Sequence, residues 1–262
     1  VFQKLIVLLL LTMSAHAADS LQLIKSIPMQ ARMMTVDELG NVYVVRQDNA
    51  LLRYNPQGDS SGYYGSIQNG QIGQVDATNP LRIVLYYPAY QHIVLLDKML
   101  SPKNELDLKK LHIYSTAYVA SAADGDLWVY DGFNARLIKV SEQLDISAQS
   151  NDLRQQAERA PQPSFIVERN RKVYICDTAQ GIFTFDQYGS YINTLSIYGA
   201  RYLQVIGSQL VYRNGDTLHS FDMKTVRDKA LALPGGNIIN AAISRDVLYV
   251  LYGDRLVLFR VG

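Results

Sequence analysis

Acidic residues recur at one place in this sequence. Asp48, Asp131, Asp177, Asp216 and Asp254 each fall in a short polar turn between two apolar stretches. Carboxylates converging on a shared rim are calcium chemistry, which needs roughly 6–8 oxygens at about 2.3–2.6 Å. Turns a whole repeat apart lie too far from one another to serve one ion. Asn49, Gly132, Gly215 and Gly253 beside them favour a different use: each aspartate folds back on the N–H groups of its own turn. On this reading no metal site is expected. Asp131→Asn and Asp177→Asn are then nearly neutral, because Asn supplies the same turn acceptor.

The remaining reactive side chains form no constellation. His92, His112 and His219 show neither H-x-H nor HExxH spacing, and His92 and His219 fall in predicted strands of different repeats. No G-x-S-x-G elbow offers a nucleophilic serine. Cys176 closes the apolar run Val173–Cys176, the setting of a buried, inert thiol. Gly235-Gly236 is a turn signal, since no helix follows to bind a phosphate. Walker-type and dinucleotide fingerprints are absent. No catalytic residue and no cofactor is expected.

Recognition chemistry is better supplied. Tyrosines gather at strand ends and turns, and Tyr is enriched in interface hot spots. Tyr86-Tyr87-Pro88-Ala89-Tyr90 stands where the other repeats place a polar turn. Tyr has no special tolerance for the backbone of tight turns. Three aromatics left wet at a rim would invite association. Tyr86, Tyr87 and Tyr90 are therefore the candidate partner-binding residues. The turn is expected to be covered, by a partner protein or by Ser101–Lys110 folding back.

The elements that must position these residues are short strands. Asn41–Val45, Arg82–Tyr87, Leu127–Tyr130, Lys172–Cys176, Leu210–Tyr212 and Val247–Leu251 are each followed by a second apolar run. Those partners are Leu51–Tyr54, His92–Leu96, Arg136–Val140, Gly181–Phe185, Thr217–Phe221 and Arg255–Phe259. The markers Val42, Ile83, Leu127, Val173, Leu210 and Val247 lie 37–46 residues apart, 41 on average. A further strand candidate precedes each pair. Another follows most of them, including Leu108–Tyr114 in the second repeat. Four strands per period of about 40 residues is a propeller blade. No stretch keeps a 3.6-residue apolar period; Asp152–Arg159 alone suits a helical turn or two, before Pro161 and Pro163. The sixth repeat lacks a fourth strand, and Leu21–Ile27 is an orphan strand ahead of the first. Pairing the two closes the ring and removes an open edge. The fold class is thus all-β: a six-bladed β-propeller with four antiparallel strands per blade, the N-terminal strand closing the last.

The blade period, with turns such as Asp186-Gln187-Tyr188-Gly189 and Ala123-Asp124-Gly125-Asp126, resembles the secreted six-bladed propellers of the NHL/TolB-like group. The resemblance spans Leu21 to Gly262 and implies architecture. The WD dipeptide is absent, and Trp128 is the only tryptophan. Lactonase-type members of the group would place acidic and Asn ligands at the channel mouth, and no such set matches here residue by residue.

The N-terminus reads as an address. Lys4, the apolar run Leu5–Met13 and Ala15-His16-Ala17 make a signal peptide over residues 1–17, leaving 18–262 as one domain. The run is far shorter than the ~20 residues of a bilayer span, and no other long apolar segment follows. Of 262 residues 48% are hydrophobic and 19% charged, which excludes a disordered chain. Net charge is +1, so no strong field points to nucleic acid or an anionic membrane. One cysteine excludes an intramolecular disulfide framework. The expected function is non-catalytic. It is that of an exported propeller in the periplasm or at the outer-membrane periphery, a scaffold or accessory subunit of an envelope assembly. Its partner is another envelope protein, through which it would associate peripherally with the membrane. A metal-dependent propeller hydrolase or lactonase is one alternative, and a carbohydrate- or peptidoglycan-binding propeller another.

Overall fold

The structure is a computed structural model that describes residues 21–157 and 159–262. The signal peptide expected over residues 1–17 lies outside the described residues. Blade one comprises β2 (Ala31–Val36), β3 (Val42–Arg46), β4 (Leu51–Tyr54) and β5 (Ser60–Tyr64). Blade two comprises β6 (Gln74–Asn79), β7 (Arg82–Tyr87), β8 (His92–Asp97) and β9 (Pro102–Asp107). Blade three follows with β10 (Thr116–Ser121), β11 (Leu127–Asp131), β12 (Arg136–Val140) and β13 (Ile146–Gln149). Blade four holds β14 (Phe165–Arg169), β15 (Lys172–Asp177), β16 (Gly181–Asp186) and β17 (Tyr191–Leu195). Blade five holds β18 (Arg201–Ile206), β19 (Gln209–Asn214), β20 (Thr217–Asp222) and β21 (Arg227–Ala232). In blade six, β22 (Ile238–Ser244), β23 (Val247–Tyr252) and β24 (Arg255–Val261) are completed by β1 (Leu21–Pro28).

The last pairing is the closure the orphan strand implies. β1 runs antiparallel to β24 from Leu21 opposite Val261 to Pro28 opposite Arg255, with a bulge between Leu23 and Lys25. Its apolar side chains are less buried than a core strand's: Leu23 is 64% exposed, and Leu21, Ile24 and Ile27 are half-buried. Closure therefore rests on the backbone ladder as much as on apolar area.

The second strand of each blade is sandwiched between neighbouring blades, so both its faces meet protein. That is why these strands read as continuous apolar runs rather than alternating ones. All of Ile83–Tyr87 and Val247–Tyr252 is buried. The fourth strands face solvent and are largely exposed, as in β21. The core is accordingly six wedges, one between each pair of adjacent blades, rather than one centre.

Two loops depart from the apolar pattern. The expected outer strand Leu108–Tyr114 is instead β9, six residues earlier. Leu108–Leu111 is a 3-10 turn, capped by the Asp107 carboxylate accepting from Lys109 N–H at 3.0 Å. Leu108 and Ile113 are apolar because they pin the loop into the wedge between blades two and three. Among the described residues of Asp152–Arg159 the helical structure is likewise one 3-10 turn, Leu153–Gln155, with Leu153 fully buried. Gly181 is obligatory: φ is +104° and a Cβ would lie 2.4 Å from the Leu195 carbonyl oxygen.

Candidate functional site

The β7–β8 turn is shorter than the Tyr86–Tyr90 stretch suggests. Tyr86 and Tyr87 belong to β7, and both are fully buried. Neither can meet a partner, which corrects their assignment as binding residues. The physical reason is position: as the last residues of a second strand, they fill wedges on opposite faces of blade two. The Tyr86 hydroxyl donates to Thr116 O at 3.0 Å and lies 3.1 Å from Gln91 Oε1, and burial pushes its pKa up to about 12. The Tyr87 hydroxyl is buried and unpaired among the described residues. Tyr90 alone is open, at 53% exposure, its ring lying over Gly70. The Gly65–Gly73 connection covers one side of the turn: Gly73 N–H donates to Tyr86 O at 2.7 Å. The Leu108–Ser115 connection covers the other, with Leu108 N–H donating to Gln91 O at 3.0 Å. Ser101–Lys110 contributes only this far, because most of it is β9.

Asp48, Asp131 and Asp177 behave as turn residues, whereas among the described residues Asp216 and Asp254 accept from no N–H of their own turns. Asp131 is buried and accepts from Phe133 N–H at 3.0 Å and from the Asn134 amide at 2.6 Å. Asp177 accepts from Ala179 and Gln180 N–H at 2.8 and 3.1 Å on one oxygen, and from Gln162 N–H and the Gln180 amide at 2.8 and 2.9 Å on the other. Burial works against its charge, but these donors outweigh it and hold its pKa below the usual carboxylate range. Asp48 accepts from Ala50 N–H at 3.2 Å and pairs with Arg46. Asp254 pairs with Arg255 at 3.0 Å. Among the described residues no three His, Cys, Asp or Glu side chains gather as metal ligands would.

His92, His112, His219 and the thiol lie away from the channel. His92 faces Glu105 at 3.2 Å, and His219 faces Asp228 at 2.6 Å while stacking on Tyr212. His112 caps the 3-10 turn in the left-handed region. Cys176 is fully buried, and burial pushes its thiol pKa far up.

The first strands wall a central channel, and their polar residues do something the sequence reading missed. They stitch neighbouring blades. The Gln74 amide donates to Val119 O at 2.6 Å and accepts from Val119 N–H at 2.9 Å. Gln204 makes the same two bonds to Ile243 at 3.0 and 2.9 Å, three blades further round. Asp76 accepts from Ser121 N–H at 2.6 Å, and Glu168 from Ala123 N–H and the Trp128 indole at 3.1 and 2.5 Å. A side-chain amide or carboxylate thus bonds the channel-side edge of the first strands β2, β10 and β22, which have no further strand there. The only sequence signal was polar residues in otherwise apolar first strands.

A cavity of about 460 Å³ occupies the channel, lined by Val75, Phe165, Val167, Leu203 and Ile243 among others. At one end Phe165 lies between Tyr118 and Tyr202, its ring centroid 6.4 Å from each. Both tyrosines sit in bulges of β10 and β18, and Tyr202 holds φ at +53°, a strained value for a bulky residue. At the other end Arg169 of blade four reaches across to blades one and two, to Glu38 at 3.3 Å and Thr78 O at 3.2 Å.

The Phe165 end also carries the second-to-third-strand turns and the blade connections. There Ile67 is 99% exposed, Phe133 80%, Tyr114 62%, Tyr198 57% and Tyr90 53%. Blades one to four supply this aromatic end. Ile67 and Phe133 escaped the sequence reading because each stands alone among polar neighbours.

The fold and its sites define a six-bladed β-propeller with an internally bonded channel wall and exposed aromatics concentrated at one end. No protein-family model and no curated protein sequence matches the chain. Among solved structures it is similar to virginiamycin B lyase from Staphylococcus aureus, at 11% identity and TM-score 0.63, covering 93% of this chain and 100% of that one. It is similar to luciferin-regenerating enzyme, at 12% identity and TM-score 0.61, covering 94% and 96%. It is also similar to BBS1N in complex with ARL6DN, at 10% identity and TM-score 0.61, covering 94% and 98%. Two enzymes and a protein-binding domain share this fold, so the likeness carries architecture alone.

Proposed function

We propose that the chain is a non-catalytic propeller of the NHL/TolB-like group. It is exported to the periplasm or outer-membrane periphery and serves as an interaction subunit of an envelope assembly. One observation carries this reading: five large apolar side chains stand exposed on the aromatic end, on the turns and connections of blades one to four. Among the described residues the opposite rim exposes Leu39, Leu81, Met99, Ile206 and Val226 but only one aromatic, Tyr188. What sets this end apart is its four exposed aromatic rings, Tyr90, Tyr114, Phe133 and Tyr198, the residue class that protein-binding surfaces favour. The carboxylates of Asp131, Asp177 and Asp76 support it, since each is held by donors that a substrate would have to displace. The signal-peptide pattern of residues 1–17 supports the compartment.

The test is purification of the tagged protein from its own envelope in mild detergent. An envelope protein should co-elute with the wild-type chain and be lost from the Ile67→Ser/Phe133→Ser variant, whose sites are too exposed to disturb the fold. Elution as an unaccompanied monomer from both, or a companion indifferent to the substitutions, overturns the reading. A calcium and zinc titration followed by thermal midpoint addresses the hydrolase alternative: a saturable rise of several degrees would favour it.

A further inference from the structure

The channel opens at the end opposite the proposed partner, and its chemistry there is uneven. The wall is apolar over Val75, Phe165, Val167, Leu203 and Ile243 and polar at Thr35, Asp76, Thr78 and Gln204, of which Asp76 and Gln204 are already bonded to the next blade. Two buried carboxylates in it are already satisfied. Asp37 accepts from Leu39 and Asn41 N–H at 2.9 and 2.8 Å, from the Asn41 amide at 2.8 Å and from the Tyr43 hydroxyl at 3.1 Å. Asp76 accepts from Thr78 and Ser121 N–H at 2.7 and 2.6 Å.

What remains at the rim is two guanidinium groups and one loosely held carboxylate. Arg169 meets Glu38 at 3.3 Å with the Glu38 side chain 57% exposed, a contact of the kind that contributes little. Arg245 is exposed and has no ion-pair partner among the described residues. The Ser244 hydroxyl donates to Asp37 O at 3.0 Å, which ties together the backbones that precede Arg245 and Glu38, and both of those residues line the cavity. Glu38 therefore sits as a carboxylate on an arginine, above a shaft of about 460 Å³ that mixes apolar side chains with polar groups already bonded to neighbouring blades. Cavities of that size that offer apolar surface and a few polar groups free to pair are small-molecule sites.

We infer that the channel binds a small amphipathic monocarboxylate. Its apolar body fills the shaft toward Phe165, and its head takes the place of Glu38 on Arg169, with Arg245 beside it. Glu38 is then a built-in competitor. This gives a signature that a structural ion pair would not produce: removing the Glu38 charge tightens binding, whereas removing the Arg169 charge weakens it.

Titration calorimetry of the purified chain with straight-chain carboxylates from butanoate to decanoate, and with the matching alcohols, tests this. Affinity should rise about fourfold per methylene until the shaft is full, and each alcohol should bind at least roughly tenfold more weakly than its carboxylate. Glu38→Gln should tighten octanoate binding severalfold, and Arg169→Gln should weaken it about tenfold or more. Val167→Phe, which narrows the shaft, should shorten the longest chain accepted. A circular-dichroism melt confirms that each variant is folded. If one is not, Arg245→Gln on the exposed rim replaces it and should weaken binding severalfold. Absence of binding by any chain length at millimolar concentration overturns the inference. Binding indifferent to both Glu38→Gln and the arginine substitutions does so too.

Discussion

The β7–β8 and β11–β12 turns follow one backbone path and are held in different ways. Each spans four residues between a ladder pair, Tyr87 with His92 in blade two and Asp131 with Arg136 in blade three. Each ends on a residue in the left-handed region, Gln91 at φ +54° and Ala135 at φ +48°. Each gives its last carbonyl to a 3-10 turn, Gln91 O to Leu108 N–H at 3.0 Å and Ala135 O to Leu153 N–H at 2.8 Å. In blade three the carboxylate of Asp131 then organises the loop from within. In blade two that slot holds Tyr87, whose ring goes to the core, and Gln91 clamps the loop instead. Its amide donates to Pro88 O at 2.8 Å, and its oxygen accepts from Thr116 N–H at 3.0 Å. Both turns are bonded to the connections beside them, in blade three through Gly132 N–H to Ser115 O at 2.7 Å and through Ala135 O. What differs is the side chain that organises the loop, Asp131 within its own turn in one and Gln91, shared with Thr116 of blade three, in the other. Gaining a buried aromatic there cost the turn its own acceptor.

The largest test of this contrast is at Tyr87. Its side chain is fully buried in the wedge between blades one and two, so Tyr87→Ala should lose about 3–5 kcal/mol in urea unfolding. Tyr87→Phe should stay within about 1 kcal/mol of wild type, because the hydroxyl has no partner to lose. A severe Phe variant would mean that the hydroxyl, not the ring, earns the position.

Asp177 comes next, in the fourth-blade turn of the same carboxylate-centred kind. Its two oxygens meet four donors. An Asn there has only one acceptor oxygen and must turn its NH₂ toward Gln162 N–H and the Gln180 amide, or toward the turn's own N–H groups. Asp177→Asn should therefore cost about 1–3 kcal/mol, not the near-neutrality that turn chemistry alone suggests. The pH dependence has a definite sign. The folded pKa is depressed, so the contribution is complete above the ordinary carboxylate value of about 3.9 and fades as pH falls through the folded value. The gap between wild type and variant in thermal midpoint should hold from pH 5 to 7 and shrink on further acidification. A gap that widened in acid would contradict the assignment.

The blades were legible in the sequence because a second strand packed on both faces cannot alternate. Val42–Val45 or Val173–Cys176 admits no other reading once the period of about 41 residues is noticed. The outer strand of blade two was misplaced because Leu108 and Ile113 carry the same apolar signal whether they line a strand or pin a loop. Tyr86 and Tyr87 failed as surface residues for a related reason. Their strand ends one residue before Pro88, and sequence alone does not say which side of that boundary a tyrosine lies on. The channel amides were invisible because Gln74 and Gln204 act across a blade boundary, on residues 45 and 39 positions away.

The smallest effect separates the two turns at their tips. Tyr90 and Phe133 both stand on the aromatic end, at 53% and 80% exposure. Phe133→Ala should change stability by less than about 0.5 kcal/mol, since its turn is organised by Asp131 and asks nothing of the ring. Tyr90→Ala should cost slightly more, up to about 1 kcal/mol, because its ring lies over Gly70 and shields the Gly65–Gly73 connection. If the aromatic end is a docking platform, both substitutions should weaken co-elution of the envelope partner to a similar degree despite that difference. If only Tyr90→Ala weakens it, and in proportion to its stability loss, the ring serves the loop and the platform does not extend over blade two. If Phe133→Ala alone abolishes co-elution, the docking centre lies on blade three. The aromatic turn of blade two would then be accounted for entirely by the packing of Tyr86 and Tyr87.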